Sequence, residues 1–183
     1  MGDVHELMIA MDLRGDLPDA EVAELRWQVG LGPRPSHVAE ETLIVNEVLD
    51  MLDDGEEPVR DENGDWVIKR CPEPAWYDGS PHAASRIPGV GFSSLVREDG
   101  ARGGRWALTF RWEIHPDGHA EVAAFLDWLA ERCEGAGRFF GYLRWYEHAE
   151  PDTMLRIRDG KVVTCRDGEV VGPLWWGDET VPA

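Results

Sequence analysis

Eight side chains with acid, base or hydrogen-bonding chemistry recur at even spacings within three short segments: Glu6 and Asp12; Arg111, Glu113 and His115; Tyr142, Arg144 and Tyr146. In an extended strand, residues separated by an even number of steps point to the same side, so each set shares one face. Arginines on such a face orient an anionic group through their planar fork, a carboxylate or the His115 imidazole moves a proton, and the tyrosines pack against a ring. These eight are the candidate ligand-binding residues, and no catalytic residue can be named among them. The competing reading is a solvated face laced with cross-strand ion pairs, or one covered by the C-terminal tail or a second subunit.

The elements that must position them follow from hydrophobic periodicity. Val4 to Leu13 alternates, with Leu7, Ile9, Met11 and Leu13 opposite Glu6, Met8, Ala10 and Asp12, which is the period of a half-buried strand. A helix follows, with Pro18 in its first turn, apolar residues at helical spacing from Ala20 to Trp27, and Gly30 and Gly32 to stop it. The same syntax returns when Trp106, Leu108, Phe110, Trp112 and Ile114 alternate with Ala107, Thr109, Arg111, Glu113 and His115, and a second helix runs to Cys133. Ala20-Glu21-Val22-Ala23 and Ala120-Glu121-Val122-Ala123 are identical, which suggests two related strand-helix units.

Val90 to Glu98 and the strand from 105 form a hairpin across a glycine-rich loop, and Phe139 to Glu147 is a further strand. On the polar face this alternation also sets Ser93 and Arg97, while Phe139, Leu143 and Trp145 take the helix side. The order is βαββαβ, which predicts a single α+β domain of the ferredoxin-like, split βαβ kind, with both helices on one face of an antiparallel sheet. Residues 33–88 are a long insertion after the first helix. It holds a helix candidate, His37 to Leu52, a small hairpin at Asn63-Gly64, and a Pro-, Gly- and acid-rich stretch of the length that serves as a lid. Residues 153–176 read as a C-terminal β-meander, turned at Asp159-Gly160 and Asp167-Gly168 and ending at Leu174-Trp175-Trp176.

Other motifs are weak. His115-Pro-Asp117-Gly-His119 has nitrogen and oxygen ligands, but Asp117 is placed to cap a helix, so no metal site is assigned. Cys133 near a helix end and Cys71 before a proline lack the surroundings of a nucleophile. Glu147-His148-Ala149-Glu150 reads as an exposed turn. No phosphate-binding loop, nucleophile elbow, zinc-protease motif or dinucleotide fingerprint is present, and no cofactor is implied.

Charge bounds the partners. A formal net charge of −18 over 183 residues repels phosphate backbones and anionic lipid, so neither nucleic acid nor a membrane is expected, and basic partners are favoured. Three widely spaced cysteines, an acidic N-terminus and no long apolar run predict a soluble cytoplasmic protein. Two functions are compatible with this. The first, preferred on charge, is a protein-binding protein that engages a basic partner as an inhibitor or immunity protein does. The second is a small enzyme or ligand-binding protein, possible as a homodimer, that uses the polar-aromatic sheet face as a pocket for a small anionic ligand.

Overall fold

The computed structural model describes residues 4–38, 44–51, 57–73, 87, 90–100, 104–115 and 119–173. Its elements are β1 (His5–Arg14), α1 (Asp19–Gln28), β2 (Ile44–Leu49), β3 (Ile68–Glu73), β4 (Phe92–Glu98), β5 (Arg105–Ile114), α2 (His119–Arg132), β6 (Phe139–Trp145), β7 (Thr153–Arg158), β8 (Lys161–Arg166) and β9 (Glu169–Pro173). Seven of the strands form one antiparallel sheet in the order β4-β5-β1-β6-β7-β8-β9. The first strand of the chain is therefore central, and the C-terminal meander extends the main sheet.

Alternation in β1 and β5 decides which face is buried. Leu7, Ile9, Leu13, Phe110 and Trp112 have no exposed surface, and they share one hydrophobic cluster with Val22 and Leu25 of α1 and Phe125, Leu126 and Leu129 of α2. Both helices thus cover the same side of the sheet. Phe110 stacks on Trp112 with ring centroids 3.9 Å apart, and Trp112 lies 5.9 Å from Phe125. The cluster continues into the meander through Leu155 and Val162.

At the β1–β6 contact, Gly141 faces Ile9. A Cβ built on Gly141 comes within 2.7 Å of Ile9 Cδ1 and 3.2 Å of the Met8 carbonyl oxygen, so no side chain fits without moving a core residue. Gly141→Ala is expected to destabilise by about 1–3 kcal/mol in a urea melt, as overpacked cores do. A variant as stable as wild type would mean that Ile9 has another rotamer to use.

Two expectations are corrected here. Within the proposed helix His37 to Leu52, residues 44–49 form strand β2, paired antiparallel with β3. Ile44, Val45 and Val48 are β-branched and favour extended backbone, and β3 supplies the pairing that a helix reading left out. Among the described residues this sheet has two strands, so β3 lies at an edge, where Pro72 is tolerated opposite Val45. The second correction concerns Ser93 and Arg97. They pair with Phe110 and Trp106 and so lie on the helix side, where Ser93 Oγ accepts from Trp112 Nε1 at 3.2 Å and the Arg97 guanidinium sits 5.4 Å from the Trp106 ring centre. Phe92, Ser94 and Val96 take the open face instead. An edge strand with apolar residues of both parities does not announce its inner face, so the register to β5 decides it.

The turns agree with expectation. Asp159 and Gly160 have φ of 51° and 73°, Asp167 and Gly168 have 52° and 85°, and two consecutive positive φ values are what tight two-residue hairpins need. The bridge between Arg60 and Trp66 closes the Asn63-Gly64 hairpin. Half of the Pro-, Gly- and acid-rich segment 53–88, the Pro116-Asp117-Gly118 turn and Leu174-Trp175-Trp176 lie outside the described residues.

Candidate functional site

On the face away from the helices, β5, β1 and β6 bring three donors onto one carboxylate. Register sets Glu6 between Glu113 and Arg144, one pleat from the row formed by Arg111, Met8 and Tyr142. Glu6 accepts from Arg111 Nε at 2.6 Å, from the Tyr142 hydroxyl at 2.8 Å, from Arg144 Nε at 2.8 Å, and also from Arg144 Nη2. It has no exposed surface. Burial by itself would raise its pKa, but the hydrogen bonds from Arg111, Arg144 and Tyr142 outweigh it and lower the carboxyl from 4.5 to about 2. Arg111 is raised mainly by its bond to Glu6, and Tyr142 is raised by burial and by the same carboxylate, so both keep their protons as donors.

The chemistry of this cluster is positional. A carboxylate that stays ionised well below neutral pH and is filled with donors does not shuttle protons near pH 7. Arg144 is fully engaged, since its Nη1 also donates to the His148 carbonyl. The Arg111 side chain keeps 32% of its surface exposed and is the cluster's outward-facing group.

The remaining predicted residues divide. Asp12 lies at the other end of the face and pairs with Arg105 at 3.0 Å and Arg138 at 3.7 Å, away from Arg111 and Arg144. Glu113 accepts from the backbone N–H of Ile87 at 3.3 Å, and Ile87 is buried although it is not part of the helix-side cluster. The end of the long insertion is therefore tied to this face. His115 is exposed just past β5, and Tyr146 lies in the turn after β6, where its hydroxyl donates to Glu147. Neither joins the Glu6 cluster.

Several residues were not picked out from the sequence. Asp152 accepts from the Trp145 N–H and contacts His148 Nδ1; burial would raise its pKa, but these two partners lower it. A shallow cleft of about 320 Å³ opens between β5, β1 and β6, floored by Ala10, Ala107 and Thr109 and walled by Arg138 and Phe140. Beyond it, Arg156, Arg158 and Lys161 line the open side of β7 and β8. Their parity was legible, because an Asp-Gly turn makes Arg158 and Lys161 direct partners. What sequence alone did not reveal is that the meander continues the sheet, which brings these cations beside β6.

Register also distributes charge. At strand positions on the open face, Arg14, Arg105 and Arg111 on β1 and β5, and Arg144, Arg156, Arg158 and Lys161 on β6 to β8, stand against Glu6, Asp12, Glu98 and Glu113. Among the described residues, seven cations against four carboxylates give the strand positions of this face a positive balance in a chain whose total is −18. Among the described residues no group of three His, Cys, Asp or Glu side chains could hold a metal ion. Burial raises the Cys133 thiol pKa, which disfavours the thiolate. Comparison with family models, with curated proteins and with solved structures gives no match to this chain.

Proposed function

We propose that this chain is a ligand-binding protein of ferredoxin-like type that takes a small anion on its open sheet face through Arg111, with Glu6, Tyr142 and Arg144 holding the site in shape. The observation that carries the reading is the positive balance of that face within a strongly acidic protein. A short-range anion site on an otherwise negative surface excludes polyanions such as nucleic acid while it admits a small acid. The ferredoxin-like assignment is supported by the order β4-β5-β1-β6, in which each strand-helix unit leads to a strand one place removed from its own. The repeated Ala-Glu-Val-Ala supports two related units, because Val22 and Val122 are buried in the same cluster.

A second reading keeps the basic protein partner. The open-face strands are net positive, so the negative charge is concentrated on the rest of the molecule, and that surface is where a basic partner would be held. The protein is placed in the cytoplasm on cysteine usage, and among the described residues no helix is long and apolar enough to cross a membrane.

Thermal shift with inorganic phosphate and citrate tests the first reading. Both should raise the wild-type midpoint, and Arg111→Lys should abolish most of that rise while its own midpoint stays within a few degrees, because lysine keeps the charge and loses the planar fork. An unchanged wild-type midpoint, or an equal rise in the variant, removes the Arg111 site.

A further inference from the structure

We propose a second site at the other end of the open face, where Arg156, Arg158 and Lys161 bind the charged group of an amphiphilic anion whose apolar body lies along Phe140 and into the cleft beside it. It shares no residue with the Arg111 site.

The cations come first. Tyr142 pairs with Met154 and Gly141 with Leu155, and Phe140 and Arg156 are the residues that follow the end of this ladder on the two neighbouring strands. Arg158 pairs directly with Lys161 across the β7–β8 hairpin, and Arg156 pairs with Val163. Three cations therefore occupy one corner of one face, all exposed, and none has an ion-pair partner among the described residues. Asp159, in the turn between Arg158 and Lys161, pairs with neither. Like charges directly opposite on a sheet destabilise it, and the other arginines of this face are each given a carboxylate. A fourth cation, Arg138, stands at the cleft wall with 59% of its side chain exposed, shared with Asp12. Arg105 also neutralises Asp12, at 3.0 Å, so the one carboxylate that lines the cleft among the described residues does not repel an anion.

The apolar part is adjacent. Phe140 is 46% exposed, with its ring edge-on to Tyr142 at 6.2 Å between centroids. It forms a wall of the 320 Å³ cleft, whose floor of Ala10, Ala107 and Thr109 carries no charge. That volume is at the small end of ligand sites, enough for a medium alkyl chain or a single aromatic ring. A hydrophilic anion would leave Phe140 and the floor uncovered, and a neutral apolar molecule would leave the three cations without a partner. A carboxylate or sulfonate on a short apolar body satisfies both.

Isothermal titration with sodium octanoate tests this site, with octyltrimethylammonium as the opposite-charge control. Wild type should bind octanoate saturably and octyltrimethylammonium at least about tenfold more weakly. Arg156→Ala/Arg158→Ala and Phe140→Ala should each weaken octanoate about tenfold or more, the loss expected when a charge-assisted contact or a ring wall goes. All three positions are exposed, so these variants should fold, and circular dichroism verifies it. Arg111→Lys should change octanoate affinity less than about twofold, which separates this site from the phosphate and citrate site. The proposal is overturned if octanoate does not bind wild type, if the double variant binds it as wild type does, or if the cationic amphiphile binds as tightly.

Discussion

Glu6→Ala should destabilise the protein by about 3–5 kcal/mol, the range for removing one partner of a buried ion pair. The side chain is wholly buried and receives donors from Arg111, Tyr142 and Arg144, so its loss deprives two guanidinium groups and a phenol of the carboxylate they share. The same cluster predicts an acid dependence. Because the folded-state pKa of Glu6 is depressed to about 2 from 4.5, its contribution is fully present above the unfolded-state pKa and is lost as pH falls through the folded-state value. A depression of that size corresponds to about 3 kcal/mol, lost progressively between about pH 5 and pH 2. Urea melts of wild type and Glu6→Ala at pH 7, 4 and 3 measure both effects. The gap between the two proteins should narrow at low pH. A constant gap would mean that Glu6 is not the group whose protonation weakens the fold.

The second large effect lies one pleat away, on the buried side. Phe110→Ala should cost about 3–5 kcal/mol and Leu108→Ala about 2–5 kcal/mol, because each empties a place between sheet and helices. Phe110 is fully enclosed, stacks on Trp112 and lies 6.3 Å from the Phe125 ring centre. Thr109, between them in sequence, is half-buried on the opposite face, and Thr109→Ala should cost under about 1 kcal/mol. Denaturant midpoints of the three variants check this. Equal losses at 108 and 109 are incompatible with the alternation that builds the sheet.

The long strands were legible for a local reason. In β1 and β5 nearly every second residue is large and apolar while its neighbours are polar or small, so only one register buries the apolar set, and both the inner face and the Arg111 side of the open face follow. Asp159-Gly160 and Asp167-Gly168 were equally plain, because few other pairs accept two successive positive φ values. Edge strands were harder. Phe92-Ser-Ser-Leu-Val has apolar residues of both parities, and its orientation comes from pairing with β5. Ile44–Leu49 carries Asn46 and Glu47, which a helix also accepts, and a strand there depends on partners 19 to 29 residues downstream.

The sequence by itself therefore determined the two amphipathic strand-helix units, the hairpin turns, the buried face and the net charge, all of which depend on spacing or composition within a few residues. Only the tertiary structure decided that Glu6 collects Arg111, Tyr142 and Arg144 from two neighbouring strands, that Asp12 is drawn off to Arg105 and Arg138, and that the meander carries Arg156, Arg158 and Lys161 alongside Phe140. The physical reason is that a strand's period sets which face a side chain takes. Which strands lie side by side, and in what register, is set by how the whole chain buries its apolar face.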